Sequence, residues 1–294
     1  MQFLIFAITY PIIWILSLLP MRVLYILSDL LYILFFYLIG YRKKVVLQNL
    51  QLAFPKKELS ELKTIQKDFF KHFTDIFVES IKAFSITKKT LLKRYKFTNP
   101  ELINELYDKG RSIAFMGAHQ ANWEWSISIP LYVKIKCFGA YTRIGNTYFD
   151  KTVKKSRTKF GFIGYKTSET IKSITRNFDE GIQGLYLLLS DQSPQIHKTH
   201  YWREFMGIKV PIHTGAEMIA KKFDMAVVNY SVKKLKRGYF EVTFETITEH
   251  PNDFKDYEIT DKYLEIIERN INNQPAYYLW SHKRFKHRDK VPKK

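Results

Sequence analysis

The sequence predicts an α/β fold, a mostly parallel mixed sheet covered by helices and preceded by a hydrophobic N-terminal helical region. Three observations carry this prediction. Between Ser112 and Leu189, short apolar runs of strand length alternate with helix-patterned stretches, which is the signature of a helix-covered parallel sheet. Further on, two strand-like runs flank Lys236-Arg237-Gly238, which adds an antiparallel hairpin. Ahead of both, the chain up to Tyr41 carries only Arg22 and Asp29 as charges.

Phe3 to Leu19 is an uncharged run interrupted by Thr9, Pro11 and Ser17. It nearly reaches the roughly 20 residues that cross a bilayer. Met21 to Tyr41 is a second run, in which Asp29 would be costly at mid-depth. No Lys or Arg precedes the first run and no small-residue cleavage site comes after it, so a cleaved signal peptide is not expected. Arg42-Lys43-Lys44 closes the region, and this positive charge predicts that the domain downstream of it stays cytoplasmic. Residues 1–44 therefore read as a membrane anchor and 45–294 as the functional domain. The alternative is a pair of core helices in a soluble protein. Whether one run spans, both span as a hairpin, or both lie in the interface is open at this level.

Val45 to Pro55 predicts a short helix stopped by proline. Lys57 to Phe84 carries an apolar stripe (Leu62, Ile65, Phe69, Phe73, Ile76) at steps of three and four, so it is one amphipathic helix. Leu91 to Leu106 predicts a strand-like turn and a short helix closed at Gly110. The sheet comes next, with strands at 112–116, 136–141, 162–165 and 184–189. Helical stretches at 123–132, 149–160 and 168–178 separate them. After these come a helix at 214–223, the hairpin 225–232/239–247 and a last helix at 261–271. The basic tail holds Lys290, Lys293 and Lys294, while Tyr277, Tyr278, Trp280 and Phe285 predict that its first half is packed.

The 294 residues carry 47 Lys and Arg against 28 Asp and Glu, a net charge of +19. Such an imbalance implies an anionic partner: nucleic acid, an anionic membrane surface, or an acidic carrier or substrate. The single cysteine, Cys137, excludes an internal disulfide and a multi-cysteine metal site.

The stretch Ile113-Ala-Phe-Met-Gly-Ala-His-Gln-Ala-Asn-Trp-Glu-Trp125 has the form of a strand-to-helix corner. Asn122 is suited to cap the following helix, which places Glu124 in its first turn. On that geometry Glu124 folds back to hold one ring nitrogen of His119, and the other nitrogen is free to take a proton. Taken alone, the pair reads as a core histidine beside a capping acid. Arg143 and the pair Asp191/Gln192 also fall at the ends of predicted strands. Ligands bind beyond the carboxyl ends of parallel strands, so the three sets are expected to converge. Individually, Arg143 reads as a surface arginine and Asp191 as a turn former.

These residues resemble a known family, the bacterial late acyltransferases of lipid A synthesis, of the lauroyl/myristoyl transferase type. The likeness runs from the apolar N-terminus, Asn49-Leu50 and Ala53-Phe54-Pro55 to the C-terminal Tyr278-Leu-Trp280-x-His282-x-Arg284-Phe285-Lys286. Gly117-Ala-His119 with Glu124 matches the family's His-x-x-x-x-Asp/Glu motif, and Asp191-Gln192 its Asp-Gln pair. Tyr141-Thr-Arg143 with Asn146 resembles a Tyr-Arg…Asn segment with one residue inserted. Phe205-Met-Gly207 stands where the family has Phe-Phe-Gly, and Glu217 departs from its Thr-x-x-Gly pattern.

The resemblance implies an acyltransferase catalytic domain at the cytoplasmic face of the inner membrane. It implies acyl carrier protein thioesters as donor, no metal or cofactor, and a phosphorylated glycolipid acceptor. His119 would be the general base and Glu124 its orienting carboxylate. Arg143 would hold the oxyanion or an acceptor phosphate. Asp191 and Gln192 would shape the site wall, and His282 and Arg284 would clamp the site, bind phosphate or serve structure. No Ser or Cys is placed for a covalent intermediate, so transfer would be direct. Other acceptors, namely a glycerolipid, an aminolipid or a pigment, stay open. The Phe-Pro-Glu-Gly-Thr segment usual in glycerophospholipid acyltransferases is absent. A non-enzymatic basic protein binding nucleic acid, or a membrane scaffold, is a further alternative. No nucleic-acid-binding motif is recognisable, and nucleic acid is not the expected partner.

Overall fold

Every residue of Ile113–Gly117 is buried, which requires a central strand with both faces covered. The computed structural model, which describes residues 1–291, makes this run the second of nine strands; Lys293 and Lys294 lie outside the described residues. The strands are β1 (Tyr95–Phe97), β2 (Ile113–Gly117), β3 (Lys136–Tyr141), β4 (Ile163–Lys166), β5 (Gly184–Leu189), β6 (Tyr201–Phe205), β7 (Ile208–Ile212), β8 (Ala226–Lys236) and β9 (Tyr239–Thr248). Seven form one sheet in the order β1-β9-β8-β2-β5-β3-β4, parallel throughout except for the β8–β9 hairpin. Alternate residues of β2 feed two cores. Ala114 and Met116 belong to one and Ile113 and Phe115 to the other, as the period of two in a strand demands.

The helices are α1 (Gln2–Leu18), α2 (Met21–Ile33), α3 (Lys43–Ala53), α4 (Leu59–Lys82), α5 (Lys88–Arg94), α6 (Glu101–Asp108), α7 (Thr147–Arg157), α8 (Thr170–Asp179), α9 (Gly215–Lys222) and α10 (Glu258–Asn273). A π-helical turn, Leu34–Leu38, continues α2. The predicted limits of β3 and β5 coincide with the observed ones. Two elements differ. The segment Trp123–Leu131 is a 3-10 helix containing Pro130, where a proline cannot supply an α-helical hydrogen bond. The antiparallel pair β6–β7 is absent from the sequence prediction. Its turn is Met206-Gly207 with φ of 53° and 74°, the geometry of a tight hairpin reached without the usual Asn-Gly.

The N-terminal region is not a detached anchor. Leu24 and Phe36 are buried in the cores shared with the sheet and α4. Ser28 donates to Asp75 at 2.8 Å and Tyr25 to Glu79 at 2.8 Å. Asp29 is paired with Arg237 of the β8–β9 turn, which also reaches Asp75. Glu217, the departure from the family pattern, is buried and accepts from the backbone N–H of Tyr257 (2.6 Å) and Thr260 (2.8 Å). It thereby fastens α9 to the start of α10. Cys137 is buried, and burial pushes its thiol up to about 12, so it is an inert core residue.

Candidate active site

β2 ends at Gly117, a position where nothing larger fits. A methyl group on Gly117 would stand 2.0 Å from Cε1 of Tyr230, and its carbonyl accepts a 2.7 Å hydrogen bond from Tyr263. Overpacking of this kind costs about 1–3 kcal/mol. Gly117→Ala is therefore expected to lower the unfolding free energy by that amount in denaturant titration. It should also reduce turnover, since the same corner aims His119.

Beyond Gly117 the chain turns sharply, with Ala121 at φ 49°. β5 lies parallel beside β2, with Leu189 opposite Gly117. The chain leaving β5 therefore emerges next to His119. Asp191 receives the His119 backbone N–H at 3.1 Å on Oδ2, and Nδ1 of the ring lies 2.7 Å from Oδ1. The Gln192 amide nitrogen faces Nε2 at 3.3 Å. With Nδ1–H donated to Asp191, Nε2 carries the lone pair, and Gln192 donates to it. Trp123 stands edge-on to the imidazole at a centroid distance of 5.3 Å.

The charges support this pairing. Burial alone would depress the His119 pKa. The charge and hydrogen bond of Asp191 outweigh burial and, with a smaller contribution from Glu124, hold it above the ordinary histidine value. Burial pushes Asp191 the other way, yet His119 keeps its carboxyl below the ordinary range. The pair is a buried carboxylate poised to stabilise an imidazolium.

This corrects the expectation for Glu124. It lines the cavity beside His119, but both its oxygens lie 3.1 Å from Nη2 of Arg157 on α7. A permanent guanidinium captures the carboxylate across the cavity mouth. Asp191 arrives from the adjacent parallel strand and holds the ring instead.

The cavity encloses about 320 Å³. One wall is the sheet, including Gly139, Gly164 and Leu187; the others are the Trp123–Ile127 stretch and the α7 face with Val153, Arg157 and Thr158. Thr142 and Ile144 line it, whereas Arg143 between them is exposed. No cluster of three His, Cys, Asp or Glu side chains able to hold a metal occurs among the described residues.

The model of the bacterial lipid A biosynthesis acyltransferases matches residues 2–287. The chain belongs to this family. No curated protein matches it. In this acyltransferase the C-terminal motif braces the site from behind. Leu279 N–H donates to the His119 carbonyl at 3.0 Å, and the Tyr278 hydroxyl donates to the Asp191 carbonyl at 3.2 Å. His282 does not face the cavity; its Nε2 accepts from Ser193 N–H at 3.1 Å. Burial, with Arg284 and Lys286 nearby, lowers the His282 pKa to about 4, so it stays neutral and able to accept. Arg284 is buried, donates to the Pro211 carbonyl at 3.3 Å and lies 4.8 Å over the Phe205 ring. Asn49 donates to the carbonyls of Trp280 and His282, both at 2.8 Å, which explains why the two ends of the chain carry motifs together.

Sequence reasoning missed Arg157 and the chemical place of Asp191. Arg157 shares a helix face with Val153 and Lys154, a spacing visible in the basic run but indistinguishable there from a solvated face. The Asp191 contact depends on strand order, which no local pattern encodes.

Proposed function

We propose that this acyltransferase moves a fatty acyl chain from an acyl carrier protein thioester to a hydroxyl of a lipid A precursor, at the cytoplasmic face of the inner membrane. The observation that supports it best is the His119–Asp191 pair at the edge of a cavity beyond the carboxyl ends of the strands. Nε2 takes the proton of the acceptor hydroxyl as its oxygen attacks the thioester carbonyl. Asp191 stabilises the imidazolium that forms. When the tetrahedral adduct collapses, the C–S bond breaks and the imidazolium returns its proton to the departing thiolate sulfur. Transfer is direct, because no Ser or Cys side chain is hydrogen-bonded to His119 among the described residues. The reaction as written requires no metal or cofactor.

Arg143, exposed at the cavity rim, is suited to an acceptor phosphate. The net charge of +19 suits an acidic carrier protein and an anionic glycolipid. Membrane attachment has its own support. Met21–Leu38 is long and apolar enough to cross a membrane, yet it is tied to α4 by a buried hydrogen bond and to the β8–β9 turn by the exposed Asp29–Arg237 ion pair. Its outer face exposes Ile26, Leu30 and Ile33, and that of α1 exposes Ile8 and Ile12. Phe3 and Phe6 continue this surface onto Tyr148, near the cavity rim. We read both helices as lying in the membrane interface, with the cavity opening beside lipid.

The test is mass spectrometry of products from the purified protein, given acyl carrier protein thioesters and a tetra-acylated lipid A precursor in vesicles. One added acyl mass is the expected result. If no acyl mass is added while a known enzyme of the family works in the same vesicles, the lipid A acceptor is wrong.

A further inference from the structure

Two glycines face each other across neighbouring strands in the cavity wall. Gly139 of β3 and Gly164 of β4 are register partners, and Leu187 of β5 continues the row. All three line the cavity. On an adjacent parallel pair, register partners project to the same face. The row thus presents two missing side chains side by side, which opens a trough in the sheet surface.

The trough has a direction. His119 and Leu189 stand at the carboxyl ends of the strands, and Phe162 closes the opposite side, just before β4. Phe162 lies level with Leu185, because Phe138 pairs with Ile163 and Cys137 with Leu185. From Leu189 to Leu185 is four residues at about 3.3 Å each, a run of about 13 Å. Between the two ends the sheet side of the wall is apolar or bare, with Leu187, Gly139 and Gly164, and the α7 side faces it with Val153 and with Lys154, Arg157 and Thr158. A one-ended trough with an apolar floor, running away from the reacting imidazole, fits a single alkyl chain better than a charged disaccharide.

We infer that this trough holds the acyl chain of the donor and that Gly139 and Gly164, with Phe162 as the end wall, set the chain length accepted. The inference rests on the acyl-transfer reading for its reaction, but the occupant is argued from the shape and lining of the trough.

The glycines can be altered without breaking the fold. A methyl group on Gly139 meets only Phe162, at 3.5 Å, and one on Gly164 meets Tyr141, Lys154 and Thr158 at 3.5–3.6 Å; these are ordinary contacts. Valine at 139 suits a strand and fills the trough further.

The experiment compares wild type, Gly139→Ala and Gly139→Val on donor thioesters of stepped chain length. In parallel, thermal protection is measured with non-reactive acyl-thioether analogues of phosphopantetheine at the same lengths. The expected result is a preference that moves to shorter chains from wild type through alanine to valine. The shortest donor should lose least in the variants. Each displaced methylene should lower kcat/KM for long donors about fourfold, from about 0.8 kcal/mol per methylene. A uniform loss at all lengths, with unchanged melting temperature, would overturn the inference, as would protection independent of chain length in every protein. If protection depends on length and on residue 139 while no acyl group is transferred, the trough assignment stands and the acyl-transfer reading falls.

Discussion

His119→Ala is expected to lower kcat by roughly 10²–10⁴-fold, the usual contribution of a positioned general base. Substrate affinity should change little, because the imidazole presents only Nε2 toward the cavity. The His119 side chain is 18% exposed, and its backbone contacts with Asp191 and Leu279 do not need the ring. The variant should therefore remain folded. Single-turnover kinetics on a preformed complex of donor and protein check this, since they isolate chemistry from binding. Unchanged single-turnover chemistry would remove His119 from the proton transfer.

The second large effect is expected at Asp191. Asparagine there keeps the shape but removes the charge, and its amide can donate to Nδ1. The ring would then carry its proton on Nε2, the atom that must accept one. A loss of about 10²-fold or more in kcat should result. The pH profile supplies a second signature. Asp191 is what raises the His119 pKa against burial, so the base is neutral, and active, only above that raised value. Removing the carboxylate lets the pKa fall, and the acidic limb of the residual activity should move to lower pH. Glu124→Gln leaves the Nδ1 partner in place and should move that limb much less, acting instead on KM through the freed Arg157. If the glutamine variant moved the limb as far as Asp191→Asn, Glu124 rather than Asp191 would be the carboxylate coupled to the base in solution.

The alternating elements are legible in the sequence because apolar runs and their stops are local. Such runs place β3 and β5 at Lys136–Tyr141 and Gly184–Leu189, their observed limits. The β6–β7 pair is hidden because its turn relies on a left-handed Met206, a conformation that methionine does not advertise. The site is half legible for the same reason. His119 is marked by its place after a strand-ending Gly-Ala, and the Asp-Gln pair by the end of β5. Which carboxylate reaches the ring depends on β5 lying beside β2, across a separation of 72 residues. Glu124 is nearer in sequence, and its capture by Arg157 comes from a helix packed over the cavity.

The C-terminal segment has a consequence for how the enzyme is made. The backbone carbonyls of both His119 and Asp191 are held by residues 278 and 279, and Ser193 is pinned by His282 and the Arg284 carbonyl. A ribosome releases residues 278–284 well after the apolar helices at 2–38 have emerged. Until those residues are made, the nascent chain has its imidazole and carboxylate unbraced. The braced site is complete only once the 278–284 segment closes over the back of the sheet.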